Sequence, residues 1–163
     1  MSKGTKKHIR PSWDEYFMNI AHTVKQRATC LTRQVGAVLV KDKRITATGY
    51  NGTPMNTKNC NENGCERCNN RINGTIKSGQ ELDKCSCCHA EENSIVQSAL
   101  HGNATKGSTL YTTFVPCSQC AKMIINAGIS RVVASEEYPD DLGTKLLKEA
   151  NVDLVKFNGT HKK

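Results

Sequence analysis

Two short segments rich in potential metal ligands constrain the fold of this 163-residue chain more than any other feature. They are CSCCHAEEN, residues 85–93, and PCSQC, residues 116–120. Cys117 and Cys120 are three residues apart, a spacing that places them on one face of a helix. His89 supplies an imidazole at the start of another predicted helix. One imidazole and two thiolates fill three positions of a tetrahedral zinc site and leave the fourth for water, as a catalytic zinc requires.

A carboxylate adjoins this predicted zinc site. Glu91 lies two residues after His89, near the metal but not required as a ligand. A carboxylate in that position can take a proton from the zinc-bound water and deliver it to a substrate. Glu92 lies about 100° further around the helix, so we expect it to face elsewhere. PCSQC alone would fit a structural zinc half-site or two buried thiols, and His89 alone would fit a core histidine. The combination of the two segments is a much more specific indication of a catalytic zinc site.

Hydrophobic periodicity predicts an α/β fold in which helices and strands alternate. The first helix begins after Ser12, whose side chain can form a capping box with Glu15. Residues 35–40 and 45–50 are predicted to be the two strands of a hairpin. Further helices are predicted over residues 89–100, 116–127 and 140–150, and further strands over residues 109–113, 131–135 and 152–157. Strand–helix–strand crossovers imply a sheet covered by helices, so we expect a three-layer α-β-α domain with a five-stranded mixed sheet.

The predicted elements divide the chain into a domain and two tails. Residues 11–157 carry all the predicted elements. Residues 1–10 form a basic N-terminal tail, and residues 158–163 form a C-terminal tail. Within the domain, residues 51–88 are rich in Asn, Gly, Cys and charged residues, and we predict a long loop there. A long loop inside a compact domain requires a physical reason.

The net charge of +8 invites a nucleic-acid-binding interpretation, but its distribution argues against one. Seven basic residues and no acidic residue lie in residues 1–10 and 156–163, and subtracting these seven from +8 leaves about +1 for the rest of the chain. No run of about 18 apolar residues occurs, which argues against a membrane span. The basic N-terminus is not followed by the apolar stretch of a secretory signal, so we expect a cytoplasmic protein.

Nine cysteines in a chain without a predicted export signal indicate metal ligands or buried thiols rather than disulfides. Two of the nine belong to PCSQC. Cys65-x-x-Cys68 and Cys85-x-Cys87 have chelating spacings and lie in a segment with little apolar content. A structural zinc would hold this segment and contribute folding energy in place of a hydrophobic core. Unligated thiols remain the alternative.

Together these features resemble the deoxycytidylate (dCMP) deaminases of the cytidine deaminase-like superfamily. H-A-E followed by P-C-x-x-C is the signature of the zinc nucleobase deaminases. The similarity extends from Arg10 to about Phe157, and its segments keep the order and spacing of that family. These segments are RPSWDEYFM, RATCLTRQVGAVLV, ATGYNGTP, CHAEEN, FVPCSQCAKMIINAGISRVV and EEYPDD. NC at 59–60, GCERCN at 64–69 and CSCCHAEEN are most similar to the cysteine-rich branch of the family.

The resemblance implies a reaction and a catalytic centre. The reaction is the hydrolysis of dCMP to dUMP and ammonia, which supplies thymidylate synthesis. His89, Cys117 and Cys120 would hold the catalytic zinc, and Glu91 would be the acid–base residue.

The resemblance also implies contacts outside the catalytic centre. Asn51 would contact the sugar of the substrate, and Tyr138 would lie near the phosphate or beside the sugar and base. Some relatives hold a second, structural zinc with ligands at three matching positions. These positions are Cys30, Cys60 and Cys87. Our choice for the fourth ligand is Cys68, with Cys65 and Cys85 as alternatives.

Members of the family are commonly hexamers that dCTP activates and dTTP inhibits. The effector site would involve Asn51 and Gly52, because we expect these small turn residues to expose N–H groups that can cradle phosphates, with Mg²⁺ accompanying the triphosphate. A 5′-phosphate on the substrate also needs a cation or backbone donors. Arg27 and Arg33, which flank the end of the first helix, are the candidates, and a surface role for either remains open.

Two other functions remain open from the sequence. One is another deaminase of the superfamily, acting on tRNA adenosine or on free cytosine, although a tRNA enzyme would need a basic surface on the body of the domain. The other is a zinc-containing nucleic-acid-binding module that kept the fold without catalysis. Glu91 argues against this second function, because a zinc scaffold does not require that carboxylate.

Overall fold

The computed structural model describes residues 9–159, so the outer parts of the two predicted tails, residues 1–8 and 160–163, lie outside the described residues. In chain order the elements are α1 (Trp13–Val24), β1 (Gly36–Lys41), β2 (Arg44–Tyr50), α2 (Glu66–Ile72), α3 (Ala90–Leu100), β3 (Thr109–Phe114), α4 (Ser118–Asn126), β4 (Arg131–Glu136), α5 (Asp141–Glu149) and β5 (Asp153–Lys156). Short 3-10 helices lie at Lys25–Arg27, Cys60–Glu62 and Leu82–Lys84. Within residues 9–159, no helix combines the length and the apolar character that a membrane crossing needs.

The five strands form one mixed sheet in the order β2-β1-β3-β4-β5. β1 is antiparallel to both of its neighbours, whereas β3, β4 and β5 are mutually parallel. β2 therefore runs in the same direction as β3, and the connection through α3 crosses over β1. This topology confirms the predicted α/β class, the opening hairpin and the five-stranded mixed sheet.

Alternate side chains of the sheet enter two separate cores, so the domain has three layers. On one face, Val38, Tyr111 and Val133 share a core with Phe17 and Met18 of α1. The other face shares a core with three helices. Its members include Ala37, Leu39, Leu110 and Val132 from the sheet and Ala90, Ile124 and Leu147 from α3, α4 and α5. The sheet is thus covered by one helix on one face and by three on the other.

α1 begins as its sequence predicts and is then tied to the sheet. Ser12 Oγ accepts a hydrogen bond from Glu15 N, and Glu15 Oε2 accepts one from Ser12 N, so the capping box is formed. The carboxylate of Asp14 accepts hydrogen bonds from Nη1 and Nη2 of Arg131 on β4, at 2.9 and 2.8 Å. The hydroxyl of Tyr111 on β3 also donates to Asp14, at 2.8 Å. The hydrogen bond from Arg131 is the main reason why the pKa of Asp14 is lowered.

The segment predicted to be a long loop, residues 51–88, contains more regular structure than the sequence indicated. α2 and two of the 3-10 helices lie within it. These short helices were not predicted because burial of sulfur, rather than an apolar periodicity, orders this segment. Arg67 and Cys68 are the buried residues of α2, and neither belongs to an amphipathic stripe.

One edge of the sheet gathers the loops that carry the candidate functional residues. The parallel strands β3 and β4 end there, at Phe114 and Glu136, and β2 ends there at Tyr50. α3 and α4 begin at this edge. Gly49 allows α3 to approach β2 closely, because a Cβ atom at Gly49 would lie 2.1 Å from the carbonyl oxygen of Ala90. Ligand sites of α/β sheets generally lie beyond the carboxyl ends of the strands, as here.

Candidate functional site

The N-termini of α3 and α4 bring together the three predicted catalytic-zinc ligands. His89 immediately precedes α3, and Cys117 and Cys120 lie at the start of α4. The Nδ1 atom of His89 is 3.4 Å from Cys117 Sγ and 3.3 Å from Cys120 Sγ. All three ligand atoms lie within 4.8 Å of one another. One nitrogen and two sulfurs at these separations fit a tetrahedral zinc ion and leave one coordination position open.

Hydrogen bonds within this group favour a thiolate at Cys117. Hydrogen bonds from Cys120 and from His89 lower the pKa of Cys117 to about 4. The contact with Cys117 raises the pKa of His89 to about 9. The contact with Cys117 and burial raise the pKa of Cys120. A cysteine that is deprotonated at neutral pH is the form that a metal ion binds.

Glu91 lies against these ligands and is only 4% exposed. Its Oε1 accepts a hydrogen bond from Thr112 Oγ1 at 3.0 Å, and its Oε2 lies 3.7 Å from Cys120 Sγ. Burial raises the pKa of Glu91. Thr112, on β3, therefore holds one carboxylate oxygen and leaves the other beside the ligand group. Glu92 faces elsewhere, since its Oε2 accepts a hydrogen bond from His89 N at 3.1 Å.

A group of aromatic and basic side chains lies at the same edge of the sheet. The guanidinium carbon of Arg33 is 4.9 Å from the ring centre of Phe114 and 5.4 Å from that of Tyr138. Burial raises the pKa of Tyr138, the negative charge of Cys117 adds to this effect, and the positive charges of Arg33 and Arg67 oppose it. Arg33 is thus in contact with the Tyr138 ring, while the charges of Cys117 and Arg67 act on the pKa of Tyr138 from a distance.

The two arginines whose charges act on Tyr138 are not the pair that the sequence indicated. Arg67 is 5% exposed in α2, and its Nε donates to the carbonyl oxygen of Gln80 at 2.8 Å. Sequence reasoning missed it because it lies between two cysteines in GCERCN, which drew attention to the sulfurs. Arg27 is exposed at the end of a 3-10 helix and forms no ion pair with any residue of 9–159. The structure therefore brings Arg33, and not Arg27, into this group.

Asn51 positions the loop that carries Arg33. Its Oδ1 accepts a hydrogen bond from Val35 N at 2.7 Å, and its Nδ2 donates to the carbonyl oxygen of Arg33 at 2.8 Å. The backbone N–H of Asn51 donates to Val35 O, and that of Gly52 donates to Cys88 O, both at 3.2 Å. The expectation that these two N–H groups are free to cradle phosphates was therefore wrong, because both already have acceptors in the protein.

Six further cysteines form two overlapping groups of four, which we call the cysteine tetrads. The first tetrad is Cys30, Cys60, Cys68 and Cys87, and the second is Cys65, Cys68, Cys85 and Cys87. Within each tetrad all sulfur atoms lie within 4.8 Å of one another. The first tetrad contains the four ligands chosen for a structural zinc, and the second contains both alternatives.

A cavity of about 730 Å³ lies between α3 and α4 and adjoins both groups of metal-capable residues. Its lining includes Cys85, Cys87, His89 and Cys120. Glu91 and Tyr138 do not line it. The buried carboxylate of Glu91 therefore lies outside this cavity.

Residues 11–136 match the family model described as the cytidine and deoxycytidylate deaminase zinc-binding region. The chain belongs to the cytidine and deoxycytidylate deaminase family. It is 43% identical over 150 residues to the deoxycytidylate deaminase of Schizosaccharomyces pombe and 40% identical over 153 residues to that of Saccharomyces cerevisiae. The matches cover 91% and 93% of this chain but 45% and 47% of the two relatives. The chain therefore spans about half the length of these two relatives.

A solved member of the deaminase family has the same fold. The dCMP deaminase of the cyanophage S-TIM5, in complex with dCMP and dUMP, matches with a TM-score of 0.74 and 32% sequence identity. This match covers 92% of the chain and 100% of the cyanophage protein. Membership of a zinc-binding deaminase family agrees with the nitrogen and sulfur donors of His89, Cys117 and Cys120.

Proposed function

We propose that this member of the deaminase family hydrolyses dCMP to dUMP and ammonia. The observation that carries the proposal is the buried carboxylate of Glu91 against the ligand group of His89, Cys117 and Cys120, since a purely structural zinc site has no use for it. The relatives support the choice of substrate. Two yeast relatives are named deoxycytidylate deaminases, and the cyanophage enzyme was solved with dCMP and dUMP.

The ligand group is suited to zinc. An imidazole nitrogen and two thiolates are ligands that zinc prefers, and their separations fit a tetrahedral ion. When bound, the ion would supply a water nucleophile that is active at neutral pH.

Glu91 moves the protons in the proposed reaction. Its Oε2 takes a proton from the attacking water and delivers it to N3 of the cytosine ring, while the water oxygen bonds to C4. Glu91 then takes the remaining proton from the new hydroxyl group on C4 and transfers it to the amino group, and the bond between C4 and that nitrogen breaks to release ammonia. The water oxygen remains on C4 as the carbonyl of dUMP. Thr112 keeps the carboxylate in place by donating to its other oxygen.

Arg33 is the proposed contact for the 5′-phosphate. Its guanidinium contacts the rings of Phe114 and Tyr138, and a guanidinium held in one orientation suits bidentate phosphate binding. Arg67 adds a second positive charge near Tyr138. Tyr138 would lie beside the sugar and base. Asn51 would support the phosphate contact by holding the loop that carries Arg33. Any contact between Asn51 and the sugar would use the hydrogen-bonding capacity that the Asn51 side chain has left.

Turnover of dCMP measured beside deoxycytidine, cytosine and a single-stranded oligonucleotide tests this function. We expect dCMP to be preferred over deoxycytidine by on the order of 30-fold or more in kcat/KM, because a desolvated phosphate contact contributes at least about 2 kcal/mol. Comparable values for dCMP and deoxycytidine would contradict the phosphate requirement. Turnover of none of the four compounds would contradict the assignment of an enzyme.

We further propose the assembly and regulation that the family resemblance implies. The enzyme would be a hexamer that dCTP activates and dTTP inhibits, with Mg²⁺ on the triphosphate, and its dUMP would supply thymidylate synthesis. The engaged N–H groups of Asn51 and Gly52 limit how an effector could bind there. Its phosphates would have to be held by side chains of the loop that follows, or by the Mg²⁺ ion, rather than by this turn.

A further inference from the structure

The arrangement of the two cysteine tetrads is suited to two metal ions rather than one. The tetrads share Cys68 and Cys87, so together they contain six different sulfur atoms. The first tetrad adds Cys30 and Cys60, and the second adds Cys65 and Cys85. Each tetrad on its own offers the four donors that a tetrahedral structural zinc requires.

Three separations between the sulfur atoms match the edges of tetrahedral metal sites, whereas that between Cys60 and Cys87, at 3.0 Å, is shorter. A Zn–S distance of about 2.3 Å corresponds to an S–S separation of about 3.8 Å along an edge of the tetrahedron. The sulfur atoms of Cys30 and Cys68 are 3.8 Å apart, and those of Cys68 and Cys87 are 3.9 Å apart. The sulfur atoms of Cys65 and Cys85 are also 3.9 Å apart. An edge of each tetrad and the edge that they share therefore have zinc–thiolate dimensions.

Neither disulfides nor hydrophobic packing explains why these sulfurs are gathered. All the cysteines are free, and the closest pair, Cys60 and Cys87, has sulfur atoms 3.0 Å apart, well beyond the disulfide length of about 2.0 Å. Within residues 9–159, Leu31 is the only aliphatic side chain packed in this buried cluster. A segment with so little apolar surface needs another source of cohesion, and a metal site supplies one.

We propose that the six cysteines hold a binuclear zinc cluster, in which the thiolates of Cys68 and Cys87 bridge the two ions. Each ion takes two further thiolates from its own tetrad. A single ion in the first tetrad would leave Cys65 and Cys85 as two thiols, already separated by the length of a tetrahedral edge. The two positive charges of the second ion offset the two additional thiolates, those of Cys65 and Cys85. The larger cluster therefore has the same formal charge as one zinc with four thiolates.

The cluster would join three segments that are separate in sequence. Cys30 belongs to the loop before β1, the middle cysteines belong to residues 60–68, and the last two belong to residues 85–87. Cys87 lies two residues before His89. The binuclear cluster would therefore hold the start of α3, on which the position of the catalytic group depends.

Metal analysis and zinc X-ray absorption spectroscopy of the purified full chain test this proposal. We expect about three zinc ions per chain, two in the cluster and one in the catalytic group, together with a zinc–zinc scattering contribution that separate mononuclear sites lack. This contribution does not depend on deamination. A protein that shows it but turns over no nucleotide would support the cluster and refute the proposed function. Absence of zinc–zinc scattering in the wild-type chain would overturn the cluster.

The double variant Cys65→Ser with Cys85→Ser removes the two thiolates that only the second ion uses. We expect it to contain about one zinc ion fewer per chain and to lose the zinc–zinc scattering. Cys88→Ser is the matched control, because Cys88 adjoins the cluster but lies outside both tetrads. It should keep the wild-type metal content. A double variant with full metal content would overturn the proposal, and the wild-type scattering decides the question if that variant does not fold.

Discussion

Glu91 is buried, yet one of its two carboxylate oxygens lies beside the ligand group, and a single substitution isolates its role. Glu91→Gln keeps the size of the side chain and an oxygen that can accept from Thr112, but an amide cannot shuttle protons. We expect kcat to fall by at least ~10²-fold with the zinc content unchanged. Steady-state kinetics and metal analysis of the same preparation measure both quantities.

Glu92→Gln is the control for this substitution. Glu92 caps α3 through His89 N, and glutamine can serve in the same capping position. We expect this variant to retain most of its activity. Near-normal turnover by Glu91→Gln would remove Glu91 from the mechanism, and an equal loss in both variants would indicate damage to α3 instead.

Arg33 and Arg27 allow a matched test of phosphate recognition. Arg33→Ala removes the guanidinium that contacts Phe114 and Tyr138, and we expect kcat/KM for dCMP to fall on the order of 10- to 100-fold. The value for deoxycytidine should change little, because that substrate has no phosphate. Arg27→Ala removes the same charge from an exposed position and should leave both substrates unaffected. Similar losses for the two variants would indicate only a general effect of charge.

At the scale of secondary-structure elements, periodic segments were predictable and the cysteine-rich segment was not. Apolar residues recur at helical spacing in α1, and its capping box is encoded within four residues, so a local pattern was sufficient. α2 has no such pattern, because its buried residues are Arg67 and Cys68. What orders α2 is contact with sulfurs distant in sequence, such as the 3.8 Å approach of Cys30 to Cys68, and local sequence does not encode that contact.

The ion pair between Asp14 of α1 and Arg131 of β4 makes a testable contribution to stability. Both side chains are about one-third exposed, at 32% and 29%, so solvent screening offsets part of the bidentate geometry, and we expect a coupling of about 1 kcal/mol. A double-mutant cycle with Asp14→Asn and Arg131→Gln, measured by urea unfolding at neutral pH, gives this coupling. A value near zero would show that this ion pair does not help to hold α1 on the sheet.

The pH dependence of this coupling follows from the lowered pKa of Asp14. A carboxyl group whose pKa is lower in the folded state stabilises the fold at every pH above its unfolded value of about 3.9. That contribution disappears as the pH falls through the folded pKa, where Asp14 becomes protonated. The coupling should therefore be constant across the neutral range. A coupling free energy that differs between mildly acidic and neutral pH would indicate that another titrating group is responsible for the pH dependence.

At the scale of the whole molecule, one edge of the sheet gathers residues from distant parts of the sequence, and this limits what the sequence could predict. His89, Cys117 and Cys120 were predictable as a group because their spacing is a local pattern on two helix starts. The contact of Arg33 with the rings of Phe114 and Tyr138 was not, because these residues come together only through the tertiary fold. The engagement of the Asn51 and Gly52 N–H groups was equally hidden, since their acceptors lie on other loops.

Regulation by nucleoside triphosphates is a property of the whole assembly, and saturation curves test it. An effector can shift the balance between two arrangements only by binding one of them better. The triphosphates dCTP and dTTP share their phosphates and differ at the edge of the base, so the choice between activation and inhibition must depend on contacts to the base. We expect a sigmoidal dCMP curve that dCTP makes hyperbolic and dTTP makes steeper. A curve unchanged by saturating concentrations of both effectors would limit the turn at Asn51 and Gly52 to the structural role that its hydrogen bonds already show.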